Sequence, residues 1–179
     1  LSANQKSRIG IVLFGHRLSW STTEPLRVIS RPEIEHLIPA SVTPSTDVEL
    51  MLPLGRFDEF SLGQVKAKLE AVVPWGQSPL YLAIQQAIGE FYGKAEKADA
   101  AVVVITDGMN YQFTPPGNAA DSEPPVSETQ ILRELKAAGI PVHVLGFSLA
   151  ESSRAAASQQ FAQIAQVTGG TYQPAEGER

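Results

Sequence analysis

The chain reads as an α/β fold: a doubly wound, mostly parallel sheet with helices on both faces and an antiparallel strand at its edge. Three observations predict it. Continuous apolar runs, RIGIVLF at 8–14 and AVVVIT at 101–106, suit strands buried on both faces. Segments with helical apolar spacing alternate with these runs, the order expected of a parallel sheet with helical crossovers. In DVELML at 47–52, Val48, Leu50 and Leu52 alternate with Asp47, Glu49 and Met51, which predicts one wet face and an edge position.

In chain order, RIGIVLF halts at Gly15, and the next thirty residues are rich in Ser, Thr and Pro with one apolar run, LRVIS at 26–30. The region 15–46 therefore reads as an excursion on the sheet edge, part loop and part hairpin. Ser61 with Gln64 has the spacing of a capping box, and Val65, Leu69, Val72 and Val73 follow at helical spacing until Pro74. A longer amphipathic helix is expected from about Ser78 to Ala98, with Leu80, Ile84, Ile88 and Phe91 on one face. After AVVVIT comes a proline-rich loop at 107–126. A helix capped by Ser127 and Gln130 then runs to Gly139, and Pro141 opens the strand VHVLGF at 142–147. Phe161, Ile164, Ala165 and Val167 mark a last helix ending at Gly169 and Gly170, before a short strand TYQP at 171–174.

The 179 residues suit a single domain, read here as N-terminally incomplete because Leu1 to Ser7 resemble the end of a helix whose earlier turns are missing. Apolar residues make up 43% and charged residues 18%, a globular balance. The net charge is −5 and the basic residues are scattered, so no nucleic-acid footprint exists. No stretch approaches the ~18 consecutive apolar residues of a membrane span, and residues 1–10 lack the pattern of a signal peptide. Cysteine is absent, which excludes disulfides, thiolate metal sites and a cysteine nucleophile.

In open parallel sheets ligands sit beyond the carboxyl ends of the strands. Asp107, His16 and Ser148 fall at such ends. Asp107 either caps the following turn, with Gly108 supplying a positive φ, or coordinates a hard cation. Ser78 is placed as an N-cap with Pro79 at the first helical position, and its hydroxyl can also serve as an oxygen ligand. His16 and His143 read as structural residues, and the three histidines, His36 included, form no pair at metal-ligand spacing. Glu33, Glu35, Glu49, Asp58 and Glu59 read as solvated surface, and Trp75 as packing beneath the Ser78 turn. No nucleophile elbow, phosphate-binding loop or zinc-binding HExxH helix occurs.

The ordered segments IGIVLFGH, PWGQSPLYLAIQQAI, AVVVITDG, LKAAGIPVHVLGF and FAQIAQVTGGTY resemble the von Willebrand factor type A domain over nearly the whole chain. The resemblance implies a metal-ion-dependent adhesion site at the carboxyl rim, holding Mg²⁺ or another divalent cation. In the family that site combines a DxSxS segment after the first, central strand, a Thr in a later loop, and an Asp ending the fourth strand. Asp107 in ITDG matches the last, and Ser78 in GQSPLY falls at the Thr position. No DxSxS segment occurs in the chain, so one carboxylate and one hydroxyl face an ion that takes about six oxygens. The strand that carries DxSxS in the family would lie between RIGIVLF and AVVVIT. A preceding segment fills that place, another chain or copy donates a strand to it, or the two flanking strands pair directly.

The expected function is a non-enzymatic protein-binding module. Its rim, formed by Ser78, Asp107 and the 109–126 loop, would engage a protein partner, with a partner carboxylate on the metal. The alternative is a structural or assembly module with a degenerate, metal-independent site. A metal-dependent hydrolase on this sheet would need a second rim carboxylate and an activated nucleophile, and the sequence offers neither.

Overall fold

The first strand, β1 (Arg8–Phe14), runs antiparallel to β4 (Val48–Arg56), with Phe14 opposite Val48 and Arg8 opposite Arg56. The computed structural model describes residues 8–20, 28–30, 43–73, 75–91, 100–112 and 124–175. The contacts divide the chain into two compact units. One comprises Leu1–Glu90 with Gln112–Pro125; the other comprises Phe91–Tyr111 with Val126–Arg179.

In the first unit the β1–β4 register shifts around Ile11, beside Gly10. A Cβ at Gly10 would lie 3.1 Å from the Leu54 nitrogen, so a larger residue there requires the neighbouring strand to give by a few tenths of an ångström. Between them in the chain, β2 (Leu18–Trp20) and β3 (Val28–Ser30) pair antiparallel as a separate two-stranded sheet, the hairpin part of the expected excursion, while 21–27 and 31–42 lie outside the described residues. A 3₁₀ turn, Pro44–Asp47, leads into β4.

Helix α1 (Glu59–Ala71) follows. Its N-cap is Asp58, whose Oδ1 accepts from the Ser61 nitrogen at 2.9 Å, so the cap lies three residues before the expected Ser61. A carboxylate at that position meets the orphan N–H groups of the first turn and leaves Ser61 inside the helix. Of its expected apolar face only Val65 is buried, while Leu69 and Val73 are exposed. The expected stop, Pro74, lies outside the described residues, and the helix has already ended at Ala71.

Helix α2 (Leu80–Gly89) buries Leu80, Ile84 and Ile88 as the spacing predicted, and packs on β1 and β4. Pro79 occupies its N-cap position, so Ser78 stands one residue outside the expected cap. Residues 92–98, where this helix was expected to continue, lie outside the described residues.

The second unit holds a parallel three-stranded sheet in the order β5–β6–β7, with β5 at Val102–Thr106, β6 at Val142–Phe147 and β7 at Tyr172–Ala175. Right-handed crossovers suit such parallel strands. One crossover holds α3 (Glu128–Ala138), where Ser127 Oγ accepts from the Gln130 nitrogen and Gly139 closes the helix at φ +64°, as the sequence predicted. The other holds α4 (Arg154–Thr168), closed by Gly169 at φ +74°.

Ala157, Phe161, Ile164 and Ala165 of α4 are buried, with the Phe161 and Tyr172 rings edge to face at 5.7 Å. Full burial of a side chain such as Phe161 contributes about 2–3 kcal/mol. Val102 and Val104 of β5 are 8% and 6% exposed, whereas Val103 and Ile105 are 68% and 64% exposed. AVVVIT thus alternates between buried and exposed side chains rather than being buried on both faces.

Among the described residues β1 has β4 as its ladder partner and β5 has β6. Residues 1–7, and with them the expected helix end, lie outside the described residues. The architecture is α/β, combining an antiparallel pair, a hairpin and a parallel sheet with four helices among the described residues.

Candidate functional site

At the carboxyl end of β5 the chain turns through Thr106, Asp107 and Gly108. Thr106 is buried, and its Oγ1 donates to the Gly108 carbonyl at 2.9 Å while lying 3.3 Å from the Gly108 nitrogen. The threonine hydroxyl therefore ties the turn that Asp107 was expected to cap. Gly108 does not carry the expected positive φ; among the described residues the glycines that do are Gly15, Gly76, Gly139 and Gly169.

Asp107 is exposed, and its carboxylate makes no hydrogen bond or ion pair among the described residues. Downstream, the Asn110 nitrogen donates to Gln160 Oε1 at 2.8 Å, anchoring the loop to α4. The neighbouring strand end carries Ser148 at φ +50°, a left-handed conformation uncommon for a non-glycine residue. The ladder pairs Thr106 with Gly146, so both turns leave the same end of the parallel sheet.

Ser78 belongs to the first unit and is half-buried. Its carbonyl accepts from the Leu80 nitrogen at 2.7 Å, and its hydroxyl makes no hydrogen bond among the described residues. The turn at 75–78 is locked to the turn after β1. The Trp75 nitrogen donates to the Gly15 carbonyl at 3.3 Å, and a Cβ on Gly76 would fall 1.7 Å from the Leu18 carbonyl oxygen. Trp75 is half-buried in this packing, with its indole Nε1 buried and unpartnered among the described residues. Ser78 and Asp107 thus sit in different units.

The first unit also holds an ionic cluster that the sequence did not reveal. Asp47, expected on a wet face, is 2% exposed. Its Oδ1 accepts from the backbone nitrogens of His16 at 3.0 Å and Arg17 at 2.6 Å, fastening the turn between β1 and β2. Burial pushes its carboxyl up to about 7, against the lowering pull of the Arg17, His16 and Leu18 backbone N–H groups and the Arg17 charge.

Glu49, expected as solvated surface, pairs with Arg17 Nη2 at 2.6 Å, His16 Nε2 at 3.1 Å and Lys68 Nζ. Desolvation would raise its pKa, but the hydrogen bonds from Lys68 and His16 and the charge of Arg17 outweigh it and bring the carboxyl down to about 2. His16 is therefore a structural partner, as read, and His143 likewise faces Thr171 Oγ1 at 2.9 Å from Nδ1. Asp58 is a helix cap rather than plain surface, while Glu33, Glu35 and His36 lie outside the described residues.

Among the described residues no group of three or more His, Cys, Asp or Glu side chains is placed to hold a metal ion. One exposed carboxylate and one hydroxyl supply two oxygens of the about six that a Mg²⁺-like ion takes, so these two residues by themselves do not make a cation site. No helix among the described residues is long and apolar enough to cross a membrane.

No protein-family model matches the chain, and no curated protein matches its sequence. Among solved structures, the chain is similar to the conserved hypothetical protein BatB from Bacteroides thetaiotaomicron, at 17% identity and a TM-score of 0.50, covering 98% of this chain and 74% of that one. An uncharacterized membrane spanning protein from Vibrio fischeri aligns at 14% identity and a TM-score of 0.30, over 96% of this chain and 70% of that one. At this identity the BatB likeness is one of fold.

Proposed function

We propose that the chain is a non-enzymatic protein-binding module of the von Willebrand factor A type, meeting a protein partner at the strand-end rim that carries Asp107. One observation carries the reading: the Asp107 carboxylate stands exposed, with no partner among the described residues, at the carboxyl end of a parallel strand, while Thr106 holds its turn. The likeness of fold to BatB supports it. In this reading Asp107 would serve as the carboxylate ligand of a divalent cation such as Mg²⁺, with the remaining oxygens from water and from other groups.

Titration calorimetry with Mg²⁺ and with Mn²⁺ on the 179-residue chain tests the cation. Weak binding that is lost in Asp107→Ala is expected. Micromolar binding that survives Asp107→Ala would remove Asp107 from the site. The second reading, a metal-independent assembly module, is favoured by the lack of a three-ligand group among the described residues. A partner that still binds in excess chelator selects that reading.

A further inference from the structure

Of the aspartates and asparagines in the chain, Asp107 alone is followed by glycine. The carboxyl carbon of an aspartate can bond to the next main-chain nitrogen only if that nitrogen can swing onto the side chain. A Cβ on the next residue obstructs the approach and narrows the backbone angles open to it. Glycine removes both restraints.

The three described aspartates differ sharply by this criterion. Asp47 is 2% exposed, its Oδ1 is engaged by the His16 and Arg17 nitrogens, and the nitrogen after it, on the β-branched Val48, donates to the Ser45 carbonyl. Asp58 Oδ1 accepts from the Ser61 nitrogen and hydroxyl, both at 2.9 Å, and the next residue, Glu59, already belongs to α1. Asp107 is exposed, and its carboxylate has no partner among the described residues. The Gly108 nitrogen lies 3.3 Å from Thr106 Oγ1, longer than a well-formed N–H···O bond, while the same hydroxyl donates to the Gly108 carbonyl at 2.9 Å. At this one position an open carboxyl precedes a weakly held, unhindered nitrogen.

We infer that Asp107–Gly108 is a covalent modification site, at which the folded chain isomerises to isoaspartate and becomes a substrate for carboxyl methylation. The Gly108 nitrogen bonds to Asp107 Cγ, and its proton leaves with the carboxyl hydroxyl as water, giving a succinimide. Water then adds back. Opening at the Cγ–N bond restores aspartate. Opening at the bond between the nitrogen and the Asp107 carbonyl carbon routes the main chain through Cβ and Cγ and leaves the α-carboxyl free. No oxidant or reductant takes part, and the product has the mass of the parent. A transferase can then move the methyl of S-adenosylmethionine onto an oxygen of the freed α-carboxylate, with S-adenosylhomocysteine leaving.

The bonds of the turn fix the consequence. Thr106 Oγ1 touches both the carbonyl and the nitrogen of Gly108 across residue 107, so a main-chain carbon inserted between them breaks that closure. On one side the ladder pairing of Thr106 with Gly146 holds the strand, and on the other the Asn110 nitrogen is held by Gln160 Oε1. All of these residues belong to the second unit. Rearrangement is therefore confined to the turn, where the carboxylate loses its methylene arm and sits directly on the main chain. The isomerisation rests on this turn alone and not on the cation reading above.

The 179-residue chain, incubated without added metal at neutral pH and physiological temperature, provides the test. Peptide mapping with electron-transfer fragmentation locates isoaspartate, and methyl uptake from labelled S-adenosylmethionine, catalysed by a protein isoaspartate methyltransferase, counts it. Isoaspartate should accumulate at 107 well before 47 or 58, through an intermediate lighter by one water. Asp107→Glu should remove most of the time-dependent methyl uptake, because the longer side chain must close a larger ring. Gly108→Ala should slow accumulation several-fold, and the absence of a positive φ at Gly108 lets alanine take its backbone conformation. Circular dichroism at the start and end checks that each chain is folded. No isoaspartate at 107 in the folded chain, equal accumulation at Asp58, or a rate indifferent to Gly108→Ala would overturn the inference.

Discussion

Replacing Asp47 by asparagine should change how stability responds to pH more than it changes stability itself. The carboxyl is 2% exposed and pushed from 3.8 to about 7, so in the folded protein it holds its proton where the unfolded chain has released it. Between these values the native state binds more protons than the unfolded one, so stability falls as pH rises through that window. Each pH unit of separation corresponds to about 1.4 kcal/mol, giving a loss of about 4 kcal/mol by neutral pH, of which about 2 kcal/mol falls between about pH 5 and about pH 7. Asparagine keeps an oxygen that can accept from the His16 and Arg17 nitrogens but has no proton to lose.

The variant should therefore match the parent to within about 1 kcal/mol near pH 4.5 and exceed it by a margin that grows toward pH 7. Urea denaturation of both proteins at stepped pH measures this directly. The difference between the two curves cancels every other titrating group. A difference that stays flat from pH 5 to pH 7, or shrinks, would refute the assignment of a buried, proton-holding Asp47.

Two further outcomes follow from the same unit. Glu49→Gln should cost about 1 kcal/mol at neutral pH, after allowance for solvent screening of its partly exposed partners Arg17 and Lys68. Because the Glu49 carboxyl lies at about 2, its contribution is present above about 4.5 and is lost as pH falls toward 2, so the parent and Gln curves should converge in acid. Gly76→Ala would set a methyl 1.7 Å from the Leu18 carbonyl oxygen on a backbone with φ +136°, and should destabilise the chain by at least about 3 kcal/mol in thermal denaturation.

What could be read from the sequence was what is decided locally. The runs RIGIVLF, AVVVIT and VHVLGF became strands, and Ser127 and Gly139 bound their helix because capping needs only neighbours in sequence. Asp47 and Glu49 were misread as a wet face because their partners, His16 and Arg17, lie about thirty residues away along the chain. Start signals for α1 overlapped, and Asp58 prevailed over Ser61. Helical spacing placed Val65 and Leu69 on α1 but not whether anything covers them, and Leu69 proved exposed. Of the candidate site, the position of Asp107 at a strand end was legible, whereas the bonds of its turn depend on the Thr106 hydroxyl's orientation, which no spacing encodes.

That hydroxyl separates scaffold from chemistry at the end of β5. Since Thr106 closes the turn on Gly108, the neighbouring carboxylate is a passenger in its own loop. Position 107 can be varied in charge, length or donor character with the main chain held constant. A panel of substitutions there would act as a meter of ligand preference, one in which a change in affinity is not confounded with a change in folding.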